Sequence, residues 1–251
     1  MTTILPSVGA GVTVTLGVGV AIGVGVAPIL EARGIDGVLY LTSGVPDGTA
    51  TLDDNQPGIT WAQVQELQNV YGWEIGGHTV DHAEMPTLTA AQNTAELVNS
   101  NNAFVSNGLN VTNFASPFGA YDNATVTEIL KYYKSHRGFA DRDALNAHPY
   151  NKSVLMVQDV NDTTTTAQVQ AWVDQAITEK RWLVLVFHDT AAQVNPNYEY
   201  TVTTANLTTM ANYVQTKVAA GQIEVVTMEQ GITIPGTNII QNSGFEAGLA
   251  N

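Results

Sequence analysis

"WEIGGH" (residues 73–78), followed by "TAAQNTAELVNSNNAFVSNG" (89–108), decides how this chain of 251 residues folds. The first piece is an apolar run of strand length. The second spaces its apolar residues at helical intervals, as a helix with one buried face does. The same unit recurs on both sides. "GVLYLTS" (37–43) precedes "ITWAQVQELQNVYG" (59–72), and "VTNFASP" (111–117) precedes "NATVTEILKYYKS" (123–135). Further on, "SVLMVQDV" (153–160) precedes "TAQVQAWVDQAITEK" (166–180), "WLVLVFHD" (182–189) precedes "TANLTTMANYVQTKVAAG" (204–221), and "IEVVTM" (223–228) ends the series. Strand-then-helix alternation predicts an α/β fold with a largely parallel sheet, most economically closed as a barrel of seven or eight strands. Chemistry in such barrels sits at the carboxyl ends of the strands.

Composition narrows the function. Charged residues make up 13% of the chain and the formal net charge is -14, so no basic stripe exists to meet phosphates and nucleic acid is not expected as a partner. With no cysteine, any metal must be held by His, Asp or Glu. Five Asn-x-Ser/Thr sequons begin at Asn110, Asn123, Asn151, Asn161 and Asn206. They describe a polar, lysine-poor exterior that suits a secreted, monomeric protein.

Near the N-terminus, Val8 to Ala27 is twenty uncharged residues, long enough to span a bilayer if helical. Six glycines, the missing basic flank and the even-numbered run Val12, Val14, Leu16, Val18, Val20, Ile22, Val24, Val26 argue against a membrane helix. Period two predicts strand or irregular chain up to Pro28, taken as the first residue of a short helix. No membrane span is expected, and any signal peptide is expected to have been removed ahead of Met1.

His78 and His82 lie just past a strand end in "EIGGHTVDH" (74–82). If the chain turns helically after His78, a spacing of four places both rings on one face, able to share a divalent metal as neutral imidazoles. His188 closes "WLVLVFHD"; the plainer reading is a strand end with Asp189 as the cap of the next helix.

These residues carry a resemblance. "EIGGHTVDH" resembles the His-Ser/Thr-x-x-His motif of the polysaccharide deacetylases, the NodB-like carbohydrate esterase family 4. "FASPFGAYD" (114–122) is similar to its Pro-aromatic-Gly turn, "WLVLVFHD" to its final His motif, and "HRGFADRD" (136–143) falls where the family has a variable fourth motif. The resemblance runs from about Gly11 to Gly231. It implies a deformed (β/α) barrel, hydrolysis of acetyl groups on an acetylated polysaccharide or oligosaccharide of chitin, peptidoglycan or xylan type, and a divalent metal, zinc or else cobalt or nickel. It makes His78 and His82 metal ligands and His188 the general acid. The turn Pro117, Phe118 and Gly119 supplies a backbone N–H for the oxyanion, while Tyr121, Trp182 and Leu185 line the acetyl pocket and sugar platform.

One motif departs. Where the family has Thr-Phe-Asp-Asp-Gly, this chain has Thr15, Leu16, Gly17, Val18 and Gly19. Gly17 stands for the catalytic base and Val18 for the third metal ligand, and neither has the chemistry, which leaves either an impaired hydrolase or a glycan-binding member without turnover. "TLDDN" (51–55) resembles the lost motif letter for letter, but Asp53 and Asp54 sit in a turn-rich loop, and Asp81 is expected to point away from its flanking histidines. The Gly/Val run is of such low complexity that an altered stretch of sequence is the alternative to an evolved one. The expected deacetylase domain spans 1–235. Residues 236–251, with "NIIQNSGFEAGLAN", are expected to be a linker leading into a carbohydrate-binding module.

Overall fold

The computed structural model describes residues 10–16, 20–50, 58–139, 145–194, 196 and 199–233. The tail from 236 onward, Asp53 and Asp54, and the motif positions Gly17, Val18 and Gly19 lie outside the described residues. The elements run β1 (Gly11–Leu16), α1 (Val20–Glu31), β2 (Gly37–Leu41), α2 (Trp61–Asn69), β3 (Glu74–Gly77), α3 (Ala90–Ser106), β4 (Asn113–Ala115) and α4 (Asn123–Ile129). They continue with β5 (Ser135–Arg137), β6 (Gln158–Asp159), α5 (Thr166–Glu179), β7 (Trp182–Phe187), β8 (Asp189–Ala191), β9 (Thr201–Thr203), α6 (Thr204–Ala219), β10 (Glu224–Val225) and α7 (Met228–Gly231).

The sheet is parallel, in the order β5-β4-β3-β2-β1-β7-β6, with β10 joined to the start of β1. It curls into the deformed (β/α) barrel expected from the alternation. The two ends of the row meet through the chain that leads into β6: the N–H of Leu155 donates to the carbonyl of His136 and the N–H of His136 to that of Lys152, each at 2.9 Å. Strands alternate between two buried layers. Val38, Tyr40, Trp182, Val184 and Val186 fill the lumen, whereas Leu39, Leu41, Leu183, Leu185 and Phe187 pack under the helices. This is why the strands read as continuous apolar runs. In β1 the polar half of the alternation is satisfied inside the barrel, where Thr13 Oγ1 donates to Val226 O at 2.7 Å and Thr15 Oγ1 to Leu185 O at 3.0 Å.

The richness in threonine has a structural use. Thr60, Thr89, Thr165 and Thr227 each cap a helix and are answered three residues on by Gln63, Gln92, Gln168 and Gln230, a reciprocal capping box. Thr203, not Asp189, caps α6; Asp189 opens β8 and its carboxylate accepts from Thr201 Oγ1 at 2.8 Å.

The first segment corrects the sequence reading. The period-two pattern holds through Leu16 and then gives way to α1, which begins at Val20 and carries Pro28 in its interior. The reason is topological. β1 and β2 are parallel neighbours, Val14 facing Gly37, so the intervening chain must travel back the length of the sheet, and a helix is the compact way to do so. Val26, Ala27 and Leu30 are buried against the core, and that burial offsets the poor propensity of Gly23, Gly25 and Pro28. Among the described residues no helix is long and apolar enough to cross a membrane.

Candidate active site at the barrel mouth

His78 follows β3 directly and is 6% exposed. Its Nδ1 lies 2.7 Å from the carbonyl of Ala115, the last residue of β4. A carbonyl only accepts, so Nδ1 carries the proton and Nε2 presents a lone pair, the arrangement that orients a metal-binding imidazole. Burial, then the neighbouring His82 and Arg137, hold its pKa well below the usual imidazole value, so the ring is neutral.

His82 comes to His78 by a route other than the expected helical turn. Thr79 and His82 both have φ of 65°, in the left-handed region that non-glycine residues seldom occupy. The tight loop brings the two ring centroids to 4.9 Å. Its backbone is pinned from both sides: Ser43 N and Gly44 N donate to the carbonyls of Thr79 and Val80 at 3.0 and 2.8 Å, and Val80 N donates to Glu96 on α3 at 2.8 Å. Asp81 is exposed and lies close to Glu96 of α3.

The Pro117-Phe118-Gly119 turn also contains a left-handed residue, Phe118 at φ 57°. Its ring is 60% exposed and lies edge-on to His82 with centroids 4.5 Å apart. Gly119 and Ala120 donate their N–H groups to Ser116 and Pro117 at 3.0 Å, which leaves the Phe118 N–H outside the turn's own hydrogen bonds. Tyr121 is half-buried and meets the outer-layer His136 at 5.2 Å.

His188 follows β7 across the mouth, packed between Phe139 at 5.3 Å and Tyr200 at 4.8 Å. Desolvation and the charge of Arg137 pull its pKa down to about 3. A ring in that state is neutral at pH 7 and has no imidazolium proton to give. Its Nδ1 stands 3.8 Å from Oδ1 of Asp159, at the end of β6. Asp159 was not picked from the sequence; its signal was a lone acid closing the apolar run "SVLMVQ", the same strand-end position that marks His188.

Two residues assigned to the mouth belong elsewhere. Trp182 opens β7 at the opposite end of the barrel and is 1% exposed, its Nε1 donating to Thr13 Oγ1 at 2.8 Å. Leu185 is 1% exposed and points outward into the layer beneath the helices. Strand alternation puts Leu185 on the wrong face, and direction along the strand puts Trp182 at the wrong end.

A catalytic zinc takes three protein ligands, and among the described residues no three His, Cys, Asp or Glu side chains converge to hold one. His78 and His82 are a fitting pair of donors but an incomplete set.

Comparison with known proteins agrees with this geometry. Residues 22–135 match the family model described as polysaccharide deacetylase, a segment that contains His78, His82 and the Phe118 turn and begins beyond Gly17 and Val18. Comparison with curated proteins gives no significant match. Among solved structures, the Xyl-CE4 domain of a multidomain xylanase from the hindgut metagenome of Trinervitermes trinervoides is similar, with TM-score 0.56 and 16% identity over 88% of each chain. A family 4 carbohydrate esterase from Streptomyces lividans, in complex with acetate, has TM-score 0.56 and 13% identity over 88% of this chain and 95% of that one. A mutant of a CE4 family pseudoenzyme with restored enzymatic activity has TM-score 0.54 and 12% identity over 89% of this chain and 67% of the other. Residues 22–135 are thus similar to the polysaccharide deacetylases, and the solved structures share the barrel fold.

Proposed function

We propose that this protein engages an acetylated polysaccharide at the barrel mouth and that its machinery for hydrolysing the acetyl group is impaired as encoded. The observation that carries the reading is the His78–His82 pair, held 4.9 Å apart by a strained loop beside the exposed Phe118. Hydrogen bonds from Ser43 and Gly44 and to Glu96 hold the loop in place, and holding metal ligands would account for its strain. Phe118 would offer an apolar face to a sugar ring, and its N–H, outside the turn's own hydrogen bonds, would receive an acetyl oxygen. His188 stands opposite as the residue to protonate a leaving group, in need of a raised pKa to do so. Secretion and the choice among zinc, cobalt and nickel belong to the same proposal.

A second reading, a glycan-binding member without turnover, is favoured by the incomplete donor set among the described residues and by Gly17 and Val18 in the motif. The likeness to a pseudoenzyme of this fold whose activity was restored by mutation supports treating the loss as reversible.

The test is a cycle of four proteins: the natural chain, Gly17→Asp, Val18→Asp and the double variant. Val18→Asp is expected to raise zinc affinity, as a third anionic ligand does, while Gly17→Asp alone leaves it unchanged. In the double variant acetate release from acetylated xylan, chitin oligomers or peptidoglycan is expected to rise by about 10²- to 10⁴-fold, the worth of a general base. A double variant that binds zinc no better than the natural chain overturns the motif assignment. Acetate release by the natural chain at the double variant's rate overturns the impairment.

A further inference from the structure

His136, the middle residue of β5, is fully buried in the layer outside the lumen. Filling space there calls only for an apolar side chain, such as that of Phe114, its register neighbour on β4. Instead both ring nitrogens are engaged. Nδ1 lies 2.7 Å from the carbonyl of Ser153, which only accepts, so Nδ1 carries a proton and Nε2 accepts from the Ser116 hydroxyl at 2.8 Å. The backbone of His136 also closes the barrel seam, its N–H donating to Lys152 O and its carbonyl accepting from Leu155 N–H. One residue therefore ties the closing chain at 152–155 to Ser116, which opens the Pro117-Phe118-Gly119 turn.

The far end of that turn rests on the same ring, where Tyr121 meets His136 edge-on at 5.2 Å. Between the two ends the turn fits closely over the exit of β5. Ser116 N donates to Arg137 O at 3.1 Å, a Cβ added to Gly119 would fall 1.9 Å from Cβ of Phe139, and one added to Gly138 would fall 2.2 Å from the ring of Tyr121. Phe118, at φ 57°, keeps its left-handed conformation only where the surroundings impose it.

We propose that His136 is the positioning residue of the Phe118 turn: by accepting from Ser116 at one end and backing Tyr121 at the other, it fixes the direction of the Phe118 N–H. The proposal rests on the reading that this N–H receives an acetyl oxygen, and it adds that the donor is aimed by a side chain too deep to touch the glycan.

The test is amide hydrogen exchange of the ¹⁵N-labelled natural chain and three variants without ligand. His136→Asn keeps a donor near the Nδ1 position but no acceptor for Ser116, and is expected to speed exchange of the Gly119 and Ala120 N–H groups about tenfold while α3 amides stay unchanged, as loss of one buried hydrogen bond does. Ser116→Ala is expected to have the same effect, and adding it to His136→Asn to have no more, because both remove one bond. His136→Gln, with an acceptor near the Nε2 position, is expected to restore slow exchange. Turn amides that ignore Ser116→Ala overturn the proposal whether or not the His136 variants fold. So does a His136→Asn protein whose α3 amides speed up equally, which is the mark of a merely structural role. Addition of an acetylated xylan oligomer then separates the two readings. The Phe118 N–H signal of the natural chain is expected to shift saturably, with several-fold weaker binding in His136→Asn. A Phe118 signal that ignores the oligomer overturns the acetyl-oxygen reading, while the exchange rates still decide what holds the turn.

Discussion

His188 shows how one residue's environment sets its chemistry. Its pKa lies at about 3 against 6.5 in the unfolded chain, because charging it beside Arg137 and away from water is unfavourable. The unfolded state therefore takes up a proton that the folded state refuses. The stability associated with the neutral ring is complete above about pH 6.5 and is lost as the pH falls through the window toward 3. His188→Ala is expected to cost about 1–2 kcal/mol at pH 7, since the ring is packed between Phe139, edge-on, and Tyr200, tilted. The difference between variant and natural chain should shrink at pH 5, where only the natural chain bears the penalty. Urea unfolding at both pH values measures it, and a gap that widens on acidification contradicts the neutral assignment.

Among the elements, α1 is the one held against its own sequence. Pro28 lies in its last turns, exposed, and cannot donate to the carbonyl of Val24. The helix nevertheless continues through Glu31, with Ala32 N reaching Pro28 O at 3.2 Å. Pro28→Ala restores a donor and removes a ring clash, partly offset by the greater freedom of the unfolded chain. The expected gain is about 1–2 kcal/mol, seen as an increase of a few degrees in melting temperature by calorimetry. A lower melting temperature would mean that the proline's fixed φ is worth more to α1 than the hydrogen bond it forgoes.

In the whole molecule, the two ends of the barrel have separate duties. Trp182 plugs the end remote from the histidines: a Cβ added to Gly231 would come within 2.3 Å of its ring, so α7 lies directly on it. Trp182→Phe removes the hydrogen bond to Thr13 Oγ1 and part of the ring volume, and is expected to cost about 1–3 kcal/mol by urea unfolding. Binding to acetylated xylan should stay unchanged, measured on the same preparation. Weakened binding with stability retained would return Trp182 to the sugar platform.

Patterns that depend on nearest neighbours were legible in the chain itself. The alternation of "WEIGGH"-like runs with amphipathic stretches determined the parallel barrel, because strand and helix periods are local properties. The strand-end positions of His78 and His188 determined where to look, since parallel strands all deliver their last residues to one mouth. Tertiary structure alone decided the rest. Residues 20–31 became a helix because β1 and β2 lie parallel, a constraint absent from those residues taken alone. Leu185 and Trp182 went to the outer layer and the far end because strand direction and face are set by pairing across the sheet. Arg137, Asp159 and His188 stand at the ends of β5, β6 and β7, and only the curling of the sheet brings these side chains within electrostatic reach of one another.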